Sequence, residues 1–594
     1  MLLRVGDMAK KTKNKKSKIK NGFWFLMISA TSLFMAWCVP GYAIDFSSHG
    51  YYRTRVVGFD NLDLMDDKSS LAHSDDRMGF VTYNQMRLRL DPTLKLNDFL
   101  SIQTEFDILD NVLYGTKDTQ ELQVLSPLVG TLTMPAGAGS FWMTGGEAGD
   151  QKAINVRRVW ADILTPIGKF RIGRQPSHWG LGIFQNDGRD RQSDFGDTAD
   201  RIMYLIQYDV PDTGTFSGGL LWDIAYEPQT DQRAGYGDTI QENAIPGASR
   251  GTQQYAAILM FDRPDWSAGV FGGIRRRNGA DGAVTMPVTD ALGNTVMAGV
   301  DGDTFLYFTD LYVRYQYENY KFQLEGVYVG GNVSTGLAID AIAFRGLGAA
   351  DPANPCSTGG IICLPPKQSM QVFMAAFEAE GAYKWGGEWK VHAGFAEGDG
   401  DPLSGKITQL GFRPDYQIAL LMFSRPLGTS PSYYGEPAYA PGTTAKLGGG
   451  QWISGNNVNN AIYFTAGYKH KFDISNSVPS CDWLKVGGKV ITAWAHKKNV
   501  NIDFSKVVGI SNLPAITETA NSITKRWYGL EFDVSAEAKF FEHLYAALDG
   551  GVIIPGREYN IEVGVIDPGQ LIEPIPYDKA AIGWGLRLTS SIEF

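Results

Sequence analysis

The last thirteen residues constrain the fold more than any other stretch of the chain. Ile582, Trp584, Leu586, Leu588, Ser590, Ile592 and Phe594 alternate with Gly583, Gly585, Arg587, Thr589, Ser591 and Glu593. A period of two over this length is a β-strand with one apolar and one polar face. The edge strand of a soluble sandwich shows the same pattern, so the rest of the chain has to separate the two readings.

The alternation recurs. Leu88, Leu90, Leu94 and Leu96 oppose Arg87, Arg89, Asp91 and Lys95; Asn97-Asp98 turns the chain; Leu100, Ile102, Thr104, Phe106 and Ile108 then oppose Ser101, Gln103, Glu105 and Asp107. Further strands are expected near 51–59, 154–164, 169–175, 201–209, 216–226, 254–262, 267–277, 304–316, 320–330, 370–384, 389–397, 461–472, 484–496, 525–540 and 544–554, about eighteen in all. Short turns at 97–98, 165–168, 210–215, 263–266, 317–319, 385–388 and 541–543 alternate with long loops near 60–79, 110–153, 176–200, 227–253, 278–303, 331–369, 398–460, 497–524 and 555–577. Short turns at one end and long loops at the other mark a transmembrane antiparallel β-barrel. An even strand number puts both termini on the short-turn side, expected to be periplasmic. Trp266, Tyr317, Tyr320, Trp385, Trp389, Phe540, Phe541 and Tyr545 sit beside the short turns, where amphipathic rings favour the headgroup region. Within 402–460, Tyr416–Phe423 reads either as an extra strand pair or as a loop folded into the lumen.

The first 43 residues read as an address. Arg4 and seven lysines precede the apolar run Gly22–Val39, and Gly41-Tyr42-Ala43 supplies small residues for cleavage after Ala43. Residues 1–43 are therefore expected to be a signal peptide and 44–594 the barrel. An uncleaved anchor helix over Gly22–Val39 is the rival reading, and Trp37 disfavours lipidation of Cys38. Eight of the 54 basic residues and one of the 64 acidic ones lie in the leader. The remainder holds 46 basic against 63 acidic residues, near −17, which argues against nucleic acid as a partner.

Parity then assigns the lumen. Arg53, Arg55, Arg87, Arg89, Arg158, Arg171, Arg275, Arg314 and Arg587 are expected to face inward, with Glu105, Asp107, Asp162, Asp310, Glu531, Asp533, Glu537 and Asp549. Strand 1 lies beside strand 2 and, on closure, beside the last strand. Arg53, Arg55, Arg87, Arg89 and Arg587 should thus form one basic wall, flanked by acids. Such a wall either lines a selective pore or stiffens a polar lumen through salt bridges.

Other chemistries find little support. The seven histidines are scattered, without HExxH or Cys/His metal spacing. Ser177-His178 near Asp187 and Asp190 is the only local cluster resembling a hydrolase, and loop hydrogen bonding explains it as well. Gly180-Leu181-Gly182 lacks the strand-to-helix context of a nucleotide loop. Asp301-Gly302-Asp303 and Asp399-Gly400-Asp401 do not complete a calcium loop and read as turns. No catalytic residue, metal or cofactor is therefore expected. Tyr51–Phe59 already reads as the first strand, which disfavours a plugged, TonB-dependent transporter. Cys356 and Cys363, in one loop with Gly359-Gly360 between them, are expected to form a disulfide and to leave Cys481 free.

Strand–turn–strand 154–175 with Arg158, then Gly173-Arg174-Gln175 and Trp179-Gly180-Leu181-Gly182, resembles the bacterial alginate-export porins. That resemblance implies eighteen strands and a basic lumen passing an anionic polysaccharide. Arg87-Leu88-Arg89-Leu90 and Asp107-Ile108-Leu109-Asp110-Asn111, together with the Trp179 motif, look closer still to large outer-membrane barrels of deltaproteobacteria. The matching motifs lie within about the first 210 residues; only the strand rhythm carries the likeness further, and the long acidic, Gly-rich loops depart from a compact alginate exporter. The C-terminal pattern ending in Phe594 resembles the signal read by the barrel-assembly machinery, and lipid with lipopolysaccharide would surround the barrel. The expected function is passive diffusion or export of a hydrophilic, anionic solute or polysaccharide. The alternative is a structural or receptor barrel with a blocked lumen whose long loops bind a partner.

Overall fold

The computed structural model describes residues 44–62, 64, 79–113, 123–126, 130–133, 154–226, 250–278, 284–289, 295–300, 304–333, 368–399, 406–425, 427–429, 438–439, 446–447, 452–454, 457–474, 477–478, 480–497, 527–559 and 580–594. The expected signal peptide and the Cys356–Cys363 disulfide lie outside the described residues.

Eighteen long strands form the barrel. They are β1 (Asp45–Asp60), β2 (Val81–Lys95), β3 (Leu100–Leu113), β4 (Ile154–Thr165), β5 (Gly168–Pro176), β6 (Thr198–Val210), β7 (Gly214–Tyr226), β8 (Arg250–Asp262) and β9 (Trp266–Asn278). The second half comprises β10 (Thr304–Tyr317), β11 (Tyr320–Val333), β12 (Gln368–Ala382), β13 (Gly387–Ala396), β14 (Ala461–Phe472), β15 (Cys481–Ala495), β16 (Trp527–Phe540), β17 (Leu544–Pro555) and β18 (Gly583–Glu593). Each pairs antiparallel with its sequence neighbours. The ring closes between β1 and β18, in register from Tyr51↔Glu593 to Asp60↔Trp584. Closure leaves no edge of unpaired N–H and C=O groups, the condition for crossing lipid with strands. Phe594 continues the seam: its N–H donates to the Gly50 carbonyl at 3.1 Å, and the Gly50 N–H donates back at 3.0 Å.

The expected alternation is realised around the ring. On β10, Leu311, Val313, Tyr315 and Tyr317 are exposed while Asp310 and Tyr312 are buried. On β18, Leu586, Leu588 and Ile592 are exposed while Thr589 and Ser591 are fully buried. The apolar side chains that ring the outside have no protein to cover them, so lipid does. The chain is an outer-membrane β-barrel.

The core lies inside the lumen. Segments 177–197, between β5 and β6, and 406–425, between β13 and β14, fold inward and bring Trp179, Ile183, Phe412, Ile418, Leu421, Met422 and Phe423 into one apolar cluster. The walls make room with small inward residues such as Ala376, Ala396, Ala461 and Ala493. Tyr416–Phe423 is thus a loop folded into the lumen and forms no strand pair. The strand tally came from the alternation, but inward folding leaves no periodic signature to read.

Candidate functional site

The basic wall is assembled by register. Arg53 on β1 sits opposite Arg87 on β2, Tyr51 opposite Arg89, and Val57 opposite Arg587 on β18. Like charges so close need counter-charges: on β3, Asp107 takes Arg89 at 2.7 Å and Asp110 takes Arg87 at 2.5 Å, and segment 177–197 supplies another. Asp194 takes Arg53 at 2.8 Å and Arg55 at 2.6 Å, with all three side chains at most 2 % exposed. Spare guanidinium N–H groups donate to the segment's backbone carbonyls. Arg53 reaches Arg191 O (2.6 Å), Arg55 reaches Gln192 O (3.0 Å), Arg87 reaches Ser193 O (2.8 Å) and Arg89 reaches Gly188 O (3.1 Å). On β4 the register shifts between Glu105 and Phe106 of its partner β3. This irregularity brings Arg157 and Arg158 together, as bulges do. Arg158 then bonds Glu105 and Asp187 O, both at 2.5 Å, and Arg157 bonds Asp107 at 3.1 Å.

Burial alone would push the Asp194 carboxyl up. The guanidiniums of Arg55, Arg53 and Arg87 more than offset that and hold it far below the usual carboxylate range. Asp194 is the keystone of this end.

The opposite end of the same segment meets acids. Glu325 on β11 accepts the backbone N–H of Leu181 and, at 3.0 Å, that of Gly182. Gly180 and Gly182 have φ of +59° and +85°, the left-handed region that favours glycine. A Cβ on Gly180 would stand 2.5 Å from the Glu325 carboxylate, so glycine is required for the approach. Trp179 packs on Phe271 at 5.9 Å, and Phe184 on Phe308 at 5.3 Å. Segment 177–197 therefore crosses the barrel, its carbonyls received by arginines on one wall and its amides by a carboxylate on the other.

Segment 406–425 relies mostly on the second device, with one carbonyl, that of Ile418, accepting from Lys489 at 2.8 Å. The Leu421 and Met422 amides donate to Glu531 at 2.8 and 2.6 Å, and Leu420 donates to Asp533 at 3.0 Å. The Tyr416 hydroxyl donates to Glu378 at 2.8 Å. The two segments are tied together: Arg413 pairs with Asp197 at 2.8 Å, and Asp415 accepts the Asp194 and Phe195 amides at 2.9 and 3.2 Å.

Beside these segments lies a polar cavity of about 570 Å³. Its wall carries Lys390, Lys469, Lys485 and Lys489 from β13, β14 and β15, with Arg587 of β18. Their carboxylate partners interleave: Lys485 pairs with Glu388 at 2.8 Å, Lys489 with Asp533 at 3.4 Å, and Lys469 with Glu537. The four lysines are 60, 41, 23 and 37 % exposed in that order, whereas Arg53, Arg55, Arg87 and Arg158 are fully buried. Sequence reasoning passed over the lysines because it searched for arginines. The signal was available in Lys485-x-x-x-Lys489, which shares one face of a strand.

The remaining expected lumen residues also face inward. Arg171 pairs with Asp162 at 2.6 Å, Arg587 with Asp549 at 3.0 Å, and Arg314 donates to Ser267 at 3.1 Å. The Ser177 hydroxyl donates to Gln185 at 2.7 Å, while His178 lies 3.6 Å from Asp187. That geometry lacks the serine–histidine contact a nucleophile needs. Cys481 is buried and free and opens β15. Among the described residues no group of three or more His, Cys, Asp or Glu side chains is placed to hold a metal ion.

No known protein-family profile and no curated protein matches the chain. Solved outer-membrane proteins are similar to it at low identity. An anion-selective porin from Comamonas acidovorans is 9 % identical, with 93 % of this chain and 100 % of that one covered and a TM-score of 0.36. OpdK from Pseudomonas aeruginosa, solved with vanillate, is 9 % identical over 92 % and 98 %, with a TM-score of 0.40. OmpT of Vibrio cholerae is 9 % identical over 94 % and 100 %, with a TM-score of 0.31.

Proposed function

We propose that the protein is a porin-like channel for passive passage of a hydrophilic, mildly anion-favouring class of solute, through a lumen narrowed by segments 177–197 and 406–425. The observation that carries this reading is the charged cavity within a closed barrel, with four partly exposed lysines on its wall. An ammonium group has three donors, so a lysine engaged by one carboxylate still presents donors to a passing anion. The interleaved Glu388, Asp533 and Glu537 keep the preference moderate, because they repel what the lysines attract. The buried arginines act differently in this reading: they shape the narrow part by holding segment 177–197. An anionic polysaccharide is the solute that the alginate-export likeness implies. The C-terminal strand ending in Phe594 would be the feature read by the barrel-assembly machinery, with lipid and lipopolysaccharide around the exposed belt.

A second reading has its own support. The segments are tied to opposite walls and to each other, as a permanently blocked structural or receptor barrel would require. Planar-bilayer conductance separates the two. A channel conducts, and its reversal potential under a salt gradient favours anions modestly; an electrically silent purified barrel rejects the channel reading.

A further inference from the structure

We propose that Asp310 and Glu325 form a proton-holding latch for segment 177–197, so that raising the pH releases this end of the segment and widens the lumen. The proposal rests on the channel reading for its physiological meaning, as regulation of the same constriction.

The two residues lie on adjacent strands, on the same face, two positions apart in register: Tyr312 pairs with Glu325 and Asp310 with Val327. Both are fully buried, and their carboxyls lie against each other. Neither oxygen of Asp310 makes a hydrogen bond of ordinary geometry with another protein group, nor does Oε1 of Glu325. Among the described residues no Lys, Arg or His makes an ion pair with either. Their surroundings are Phe271, Phe308 and Val327 on the wall and Trp179 from the segment. The titratable groups facing them are the phenols of Tyr312 on β10 and Tyr463 on β14; beyond Tyr463, Tyr416 links to Glu378 on β12.

Two carboxylates in contact, buried and without a cation, cannot both be ionised; such pairs share a proton. That proton explains the orphaned oxygens, since a shared hydrogen supplies the donor the side chains otherwise lack. Glu325 is left to accept the Leu181 and Gly182 amides, and the Trp179 indole N–H faces Asp310. The docked segment is therefore the lid that keeps the pair dry. Lifting it admits water, and both carboxyls ionise at neutral pH. Docking thus takes up a proton and undocking releases one, so the undocked-to-docked ratio rises with pH, up to about tenfold per pH unit.

Hydrogen–deuterium exchange of the wild-type barrel tests the latch without relying on conduction. After correction for intrinsic chemistry, the Leu181 and Gly182 amides should lose protection steadily between about pH 6 and pH 9. Asp310→Asn removes the second ionisable group while keeping the shape, and should flatten the profile at 181–182. Heat-modifiable migration in detergent gels checks that this variant still forms a barrel. Unchanged wild-type protection across that range overturns the proposal, as does an Asp310→Asn barrel that keeps the full pH response. Bilayer conductance read alongside distinguishes the failures. A pH-dependent exchange profile in a silent barrel sinks the channel reading and leaves the latch. A conducting barrel with flat exchange sinks the latch and leaves the channel.

Discussion

The two ends of segment 177–197 are held by opposite chemistry. At the β1–β4 wall, guanidiniums donate to carbonyls of the segment and Asp194 pairs with Arg53 and Arg55. At the β10–β11 wall, a carboxylate accepts its amides, and among the described residues no Lys, Arg or His makes an ion pair with Asp310 or Glu325. Every peptide unit has both a donor and an acceptor, so one strip of backbone can meet a basic wall at one place and an acidic one at another. The ends differ in what they cost to open. Breaking the arginine end strands buried cations, whereas opening the carboxylate end lets water take over amides and acids. The first is a fixed anchor and the second is the hinge side.

The largest test of that difference removes the keystone. Asp194→Ala leaves Arg53 and Arg55 buried beside Arg87 without their shared counter-ion. Breaking a buried pair in this way costs about 3–5 kcal/mol. The expected outcome is loss of protection across 188–196, a lower temperature for heat-modified migration, and higher conductance as the segment leaves the lumen. If 188–196 stays protected at the wild-type level, the anchor is not at Asp194. A more local effect is expected from Glu531→Ala, which strands the Leu421 and Met422 amides at about 1–3 kcal/mol per buried donor left unsatisfied. Exchange should rise at 419–423 and stay unchanged at 188–196. A rise at both segments would show that the links through Asp415 and Arg413 make them one unit.

The strands that build these walls were legible because a side-chain period of two, interrupted by turns, leaves a pattern that folding cannot alter. Parity also placed Arg53, Arg55, Arg87 and Arg89 on one inner face. It could not say what would meet them there. Asp194 sits in an irregular stretch between Pro176 and Thr198, with no period to mark which way it points. The inward course of 406–425 was equally hidden: an apolar run such as Ile418–Phe423 reads alike as a strand or as a buried loop. Trp179-Gly180-Leu181-Gly182 was visible as a motif, and its meaning came only with Glu325 from a strand some 140 residues away. Long-range partners of irregular backbone are the part of a site that local patterns do not encode.

A milder effect tests the cavity against the anchor. Changing Lys390, Lys469 and Lys485 together to Gln removes ammonium groups that are only partly buried, each in an ion pair worth about 1 kcal/mol or less. Stability should hardly move, while the reversal potential shifts toward cations. Were selectivity unchanged and the barrel destabilised instead, these lysines would be struts like the arginines.

The smallest expected effect is at acid pH, where the two ends predict the same outcome for different reasons. The Asp194 carboxyl is held far below its ordinary value by Arg55, Arg53 and Arg87 against the cost of burial. A lowered carboxyl stabilises the docked state above its unfolded value, and that contribution is lost only as pH falls through the lowered folded value. Asp415 is shifted the other way: burial raises it even though it accepts the Asp194 and Phe195 amides. A raised carboxyl favours the docked state at lower pH and disfavours it as pH rises. The Asp310–Glu325 pair keeps its proton more firmly in acid. Between pH 7 and about 4.5, protection at 181–182 and 190–196 should therefore hold or increase, with conductance steady or slightly reduced. Acid-induced exposure of 190–196 would mean that Asp194 titrates near its ordinary value, and hence that the arginine wall is wetter and less tightly closed than its geometry requires.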